Sequence, residues 1–257
     1  MVSPGTAAAL FGVAVIGGVI NSIAGGGTFV VFPTLLLSGV PAIQANATNT
    51  VALWPGVVFS LFAVRRQAMK ARFKAMLAVT SLIGGGIGAL LLLKTPPALF
   101  ELTVPFLLLA ATLMFTLNPV VARRLSNRRG GAPRIGRGRV AATVVTVFLI
   151  AIYGGYFGGG IGILILAALS LLGLTDFHDM NAFRLILSCS ANAVAVVVFA
   201  VAGAVAWPQA SVMLVGAILG GYGGASFAKR IRAIVLRRFV MVLGFTMSGY
   251  FFYRQFA

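Results

Sequence analysis

Three consecutive glycines, Gly25-Gly26-Gly27, sit inside an apolar stretch that runs from Gly17 to Pro33. Each glycine costs a helix about 1 kcal/mol relative to alanine. A membrane-spanning helix laid across this stretch is therefore expected to break here. The same oddity returns 133 residues later, at Gly158-Gly159-Gly160, again between apolar runs. Paired interruptions of corresponding hydrophobic segments are a sequence-level pointer to a binding site between membrane-embedded repeats.

The flanking runs have membrane dimensions. Of the 257 residues, 60% are hydrophobic and 9% are charged, against about 25% charged in an ordinary soluble domain. Apolar runs of about 20 residues recur along the chain, enough to cross a hydrocarbon layer of about 30 Å. The expected fold class is an all-α polytopic membrane protein. A transmembrane barrel is excluded, because its strands would alternate apolar and polar residues.

The chain then reads as two halves. The first, residues 1–117, holds segments at about Thr6–Ala24, Thr28–Ser38, Ala42–Val64, Ala75–Leu93 and Ala98–Leu117, the last stopped by Asn118-Pro119. Residues 118–139 form an arginine-rich linker. The second half, residues 140–257, repeats the pattern at Val140–Phe157, Ile161–Leu172, Asn181–Ala206, Ala210–Ala228 and Ile234–Tyr253. Gly84-Gly85 then aligns with Gly220-Gly221, Asn46 with Asn181 and Lys94 with Arg230, and the offset drifts only from 133 to 136. In each half the second segment is too short to span alone.

The net charge of +17 does not indicate a nucleic-acid partner. All basic residues except Lys94, Arg184 and Arg254 fall between Arg65 and Lys74, between Arg123 and Arg139, or between Lys229 and Arg238. Clusters of this kind mark cytoplasmic loops, with anionic lipid headgroups as their partners. The loop Ala206-Trp207-Pro208-Gln209 has no charge, whereas its counterpart in the first half is basic. This alternation implies two inverted-topology repeats of five segments each, a cytoplasmic linker and both termini outside. Trp207 suits an interface anchor. Oligomeric state is not legible.

Residues for catalysis are scarce. The chain has one histidine, one cysteine (Cys189) and three acids, Glu101, Asp176 and Asp179. No disulfide, metal-ligand set, cofactor motif or nucleophile triad is present in the sequence, so an enzyme is not expected. Asp176, His178 and Asp179 cluster in one loop and have two readings. They relay a coupling proton, or the acids favour the start of the helix near Asn181.

The glycine triplets also have two readings. Small residues let helices approach closely in membranes, which suffices for Gly84 to Gly88 and Gly220 to Gly224. At Gly25, Gly26, Gly27 and at Gly158, Gly159, Gly160, a long segment meets a short one. A half-helix starting there presents free N–H groups and the positive end of its dipole, which suits an anion. Asn21, Ser22 and Thr28 flank the first break, and Tyr153 and Tyr156 border the second. Asn46, Asn49 and Thr50 share one helix face; Asn181, Arg184, Ser188 and Asn192 answer them in the second half. These stripes either line a site for a small anionic substrate or hold helices together. Arg184, away from loops and chain ends, either contacts that substrate or snorkels to headgroups.

The segment Gly18-Val19-Ile20-Asn21-Ser22-Ile23-Ala24-Gly25-Gly26-Gly27-Thr28, with Pro33, Gly39-Val40-Pro41 and Ala45-Asn46-Ala47-Thr48, resembles the signature of the sulfite exporter TauE/SafE family. Gly154-Gly155-Tyr156-Phe157-Gly158-Gly159-Gly160-Ile161-Gly162 resembles its second-repeat motif. The resemblance covers nearly the whole chain. It implies a bacterial inner-membrane permease for sulfur-containing anions such as sulfite, sulfonates or sulfoacetate, with a site where the two motifs meet. Alternating access is the expected mechanism. A gated anion channel is one alternative. Another is a membrane subunit that binds a soluble partner through its basic linker.

Overall fold

A computed structural model describes residues 3–64, 71–127, 137–171, 177–227 and 233–256. The described residues form ten helices. They are α1 (Pro4–Ala24), α2 (Thr28–Leu37), α3 (Ala42–Ala63), α4 (Ala71–Lys94), α5 (Pro97–Asn127), α6 (Arg137–Tyr156), α7 (Ile161–Leu171), α8 (Phe177–Val201), α9 (Trp207–Ser226) and α10 (Ala233–Phe256). Both glycine triplets interrupt helices, and the segments that follow them, α2 and α7, have 10 and 11 residues.

The ends of the broken helices follow from glycine chemistry. Gly25 takes φ 75° and sends its N–H back to the carbonyls of Ile20 and Asn21. Gly158 takes φ 77° and reaches Tyr153 O at 3.3 Å. Both are left-handed caps, which a side chain disfavours. At the other end of α1, the hydroxyl of Ser3 accepts the N–H of Thr6, and Pro4 occupies the first turn, where its missing N–H costs nothing.

Several boundaries differ from the sequence reading: α4 starts at Ala71 rather than Ala75 and α8 ends at Val201 rather than Ala206, and two further shifts have a local cause. α5 continues through Asn118-Pro119 to Asn127. A proline removes one backbone hydrogen bond, and the following Val-Val-Ala-Arg-Arg-Leu contains good helix formers. α8 starts at Phe177 rather than near Asn181, which places Asp179 in its first turn, where the helix dipole favours an acid.

The helices pack in a defined set of pairs. α1 lies on α9 and α6 on α4; α3 lies on α9 and α8 on α4. α2 packs between α1 and α3, and α7 between α6 and α8. α3 crosses α8, and α5 lies along α10. Glycines bring the closest pairs together. A Cβ on Gly216, Gly220 or Gly224 would meet Phe11, Val15 or Val19 in turn, so α1 and α9 run in the same direction. Gly84 and Gly88 meet Phe148 and Ile152 in the same way, making α4 and α6 parallel. α3 also runs with α9: Thr48 accepts the Ala206 N–H, and further on the Ser60 hydroxyl donates to Gly221 O.

The outward faces are apolar. Leu82, Ile83, Leu90 and Leu91 of α4, with Leu102, Phe106 and Leu113 of α5, are exposed. In water such a surface would aggregate; against lipid it is the expected coat. Four described helices, Pro4–Ala24, Arg72–Lys94, Pro97–Leu117 and Asp179–Val201, are long and apolar enough to cross a membrane. α3 carries Gln44, Asn46, Thr48, Asn49 and Thr50 in its first half, and most of that polar surface is buried.

Candidate functional site at the two helix breaks

The two breaks meet in the interior. A Cβ added to Gly25 would run into Gly162 and the Arg184 guanidinium; one added to Gly162 would meet Gly25 and the same guanidinium. The first triplet therefore touches the second break at Gly162, two residues beyond Gly160 in the first turn of α7. Gly160 instead faces Phe29 and Ala111. Gly162 was not among the site residues read from sequence, although the Gly-Ile-Gly of residues 160–162 carried the signal.

Arg184 is 1% exposed. Its Nε donates to Asn181 Oδ1 at 3.0 Å, Nη1 to Asn21 O at 3.0 Å and Nη2 to Ser22 O at 2.8 Å. It does not snorkel to headgroups. The two carbonyls belong to the last turn of α1, at the negative end of its dipole; Asn21 O also accepts the Gly25 N–H, whereas Ser22 O receives no described backbone donor. The three described acceptors of the guanidinium are all neutral. Asn181 is brought to this group as its third acceptor.

Asn46 does the corresponding work on the other side. Its Nδ2 donates to Tyr156 O, in the last turn of α6, at 2.9 Å. Asn49 Nδ2 donates to Thr28 Oγ1, at the first residue of α2, at 3.3 Å. Asn46 and Asn49 are 0% and 2% exposed. The Thr50 hydroxyl donates within its own helix to Asn46 O, and that of Ser22 to Val19 O. Asn46 Oδ1 and Asn49 Oδ1, and further along α8 Ser188 Oγ and Asn192 Oδ1, are buried without a hydrogen-bond partner among the described residues. Buried polar groups are otherwise almost always paired.

The start of α2 offers donors. Phe29 and Val30 send their N–H groups back to Gly26 O and Gly27 O. The N–H groups of Gly26, Gly27 and Thr28 find no acceptor among the described residues. They point from a helix start, where an anion is stabilised.

The tyrosines are placed differently. Tyr153 donates its hydroxyl to Gly159 O at 2.7 Å and so braces the second break itself. The Tyr156 ring stands edge-on to Phe100, and its hydroxyl lies 3.4 Å from Thr95 Oγ1, at the α4–α5 turn. Trp54, on α3, donates to Cys189 O of α8 at 3.0 Å. Trp207 is an exposed first residue of α9. Asp176 lies outside the described residues, as does the side chain of His178. A cleft of about 360 Å³ opens at the α2–α3 turn and is lined in part by Glu101 and Arg254.

Interior helix breaks, buried polar side chains beside them and an apolar outer coat are the features of a polytopic membrane protein. The chain belongs to the Sulfite exporter TauE/SafE family, whose sequence model matches residues 10–251. It is similar to a "Probable membrane transporter protein" of Haemophilus influenzae, 30% identical over 250 residues, covering 96% of this chain and 95% of the relative. A "Probable membrane transporter protein ORF9" of a Sinorhizobium species is 29% identical, covering 93% and 89% of the two chains. The "Probable membrane transporter protein YfcA" of Escherichia coli is 27% identical, covering 98% and 92%. No solved structure matches the chain. The protein is a multi-pass membrane transporter.

Proposed function

We propose that the protein is a secondary transporter of small sulfur-containing anions, of the sulfite, sulfonate or sulfoacetate type, working by alternating access in a bacterial inner membrane. The observation that carries the anion is the start of α2: three N–H groups, from Gly26, Gly27 and Thr28, without acceptors among the described residues, near a buried guanidinium whose described acceptors are neutral. A tetrahedral oxyanion carries several acceptor oxygens and matches such a donor set. The substrate class follows the family name.

The mechanism rests on two inverted repeats, residues 1–117 and 140–257, joined by the basic linker of residues 118–139. Exchanging α1 with α6, α2 with α7, α3 with α8, α4 with α9 and α5 with α10 carries the main packing pairs onto one another. The glycine contacts follow: Gly220 on Val15 answers Gly84 on Phe148, and Gly224 on Val19 answers Gly88 on Ile152. α1 runs parallel to α9, in the other half, as inversion requires. Rocking of one repeat against the other would expose the breaks to each side in turn.

The test is binding followed by flux. Purified protein is melted in the presence of sulfite, short sulfonates, sulfoacetate and carboxylates of matched length. Sulfur oxyanions should raise the melting temperature saturably, and proteoliposomes should take them up with saturation. A panel in which no anion stabilises the protein overturns the reading. Stabilisation by carboxylates alone would reject the substrate class.

A further inference from the structure

The two halves treat their helix ends unequally. At the first break the carbonyls of Asn21 and Ser22 are held by a cation, the Arg184 guanidinium. On the two-repeat reading above, on which this inference rests, their counterparts 133 residues later are Gly154 and Gly155. Those carbonyls receive no described hydrogen bond. The Gly158 N–H, which would have served Gly154 O in a continuing helix, turns back to Tyr153 O instead. The counterpart of Arg184, at an offset of 135, is Asn49, and that of Asn181 is Asn46. The place of the guanidinium is thus taken by neutral amides.

Those amides are among the buried groups with unpartnered oxygens. The orientation of Asn46 is fixed, because its Nδ2 must be the atom that donates to Tyr156 O. Its Oδ1 is then an acceptor with nothing to accept, held at the end of α6. Asn49 lies on the same face, one turn along α3. Two backbone carbonyls at the negative end of a dipole and the Asn46 amide oxygen therefore share one helix terminus, with the unpartnered Asn49 oxygen on the same helix face as Asn46, one turn along α3. This arrangement wants positive charge. Amide oxygens do not protonate at physiological pH, so the charge is not a bound proton. Neither Asp nor Glu belongs to the set, which disfavours Ca²⁺ and Mg²⁺, ions held through carboxylates. A monovalent ion fits, and the tight packing around the break, with Gly155 against the Gly85 backbone, favours a small one.

We propose that the second break is a sodium site, in which Gly154 O, Gly155 O, Asn46 Oδ1 and Asn49 Oδ1 hold one Na⁺ where the first break has the fixed guanidinium of Arg184. Unwound carbonyls and half-helix C-termini coordinate coupling ions in other broken-helix transporters. Here Asn49 also ties the two ligands together. Its nitrogen fixes the Thr28 hydroxyl at the anion-facing start of α2, while its oxygen faces the ion. Na⁺ would orient the Asn49 amide and so prepare the anion site. Sodium, rather than a proton on the Asp176, His178 and Asp179 cluster, is then the coupling ion.

The experiment measures Na⁺ alone, with no sulfur anion present. Detergent-purified protein is melted in gluconate salts of Na⁺, K⁺ and N-methylglucamine at constant ionic strength. Na⁺ should raise the melting temperature saturably, and the other two should not. Asn46→Leu should abolish the Na⁺ response. Asn46→Asp, of the same shape, should fold and move half-saturation to lower Na⁺ concentration. Asn49→Arg, which installs a fixed cation, should remove the Na⁺ response. A wild-type protein that melts identically in all three salts overturns the sodium site and assigns the free oxygens to water. So does an Asn46→Asp variant with wild-type Na⁺ dependence. The anion panel, run separately in N-methylglucamine salts, reports on the proposed substrate independently, so either idea can fail while the other stands.

Discussion

The guanidinium of Arg184 donates to two carbonyls in the last turn of α1, Asn21 O and Ser22 O, and does so from α8. A planar fork can reach two successive carbonyls and Asn181 at once; an ammonium cannot. Burying the charge is costly, and three polar acceptors offset that cost only when all three are met. Arg184→Lys keeps the charge but loses the fork. It should lower the unfolding free energy by about 1–3 kcal/mol, the worth of one or two charge-assisted bonds. Denaturation of the detergent-solubilised variant measures this, and wild-type stability would show that the clamp carries no load. From sequence, Arg184 stands out because it lies away from every loop and chain end. What it touches is not legible there, since Asn21 and Ser22 lie more than 160 positions away and backbone carbonyls leave no mark in a sequence. Asn46 and Asn49 are legible as a stripe for the same reason that Arg184 is: polar residues are rare in such helices. Their division of labour, nitrogen to a helix end and oxygen left over, needs the packed structure.

At the scale of elements, glycines do two separate jobs. The triplets at 25–27 and 158–160 end helices, with Gly25 and Gly158 in the left-handed region, whereas Gly84-Gly85-Gly86 continues inside α4. Glycines four apart make a flat strip on which a neighbour can lie, as Gly216, Gly220 and Gly224 do beneath α1. The contrast within α9 can be measured. A methyl group on Gly220 would strike the Val15 backbone, whereas one on Gly223 meets nothing within 4 Å. Gly220→Ala should destabilise by about 1–3 kcal/mol through overpacking. Gly223→Ala should be neutral, or stabilise by up to about 1 kcal/mol through helix propensity. Equal melting temperatures for the two variants would mean that α1 does not rest on this strip. Periodicity also predicts the existence and length of α1, α2, α3 and α9 closely, because each is bounded by glycine, proline or both. It does less well where polar residues extend a helix beyond the apolar run. α5 past Pro119 and α8 before Asn181 are such cases: hydropathy reports where lipid ends, not where hydrogen bonding ends.

At the scale of the molecule, orientation joins what the sequence and the packing say separately. On the reading that basic connections lie in the cytoplasm, the α3–α4, α5–α6 and α9–α10 connections share one side, and α3, α5 and α9 run in one direction. The packing independently sets α1 and α3 parallel to α9. It also brings the α2–α3 turn, Glu101 near the start of α5 and Arg254 near the end of α10 to one cleft, as it must if α3 and α5 start where α10 finishes. With the basic connections cytoplasmic, α1 begins outside and α10 ends outside. A reporter active only outside the cytoplasm should therefore be active when fused after Ala257 and inactive when fused after Asn127, and a reporter that works only in the cytoplasm should give the reverse. A cytoplasmic Ala257 would mean that α10 and α5 finish on the same side. The two halves would then be inserted alike, and the exchange of packing partners between them would need another cause. Activity of both reporters at Asn127, from a mixed population, would instead mean that the arginines between Arg123 and Arg139 do not set the orientation. In that case the basic residues flanking α4 and α10 should be neutralised in turn to find which of them does.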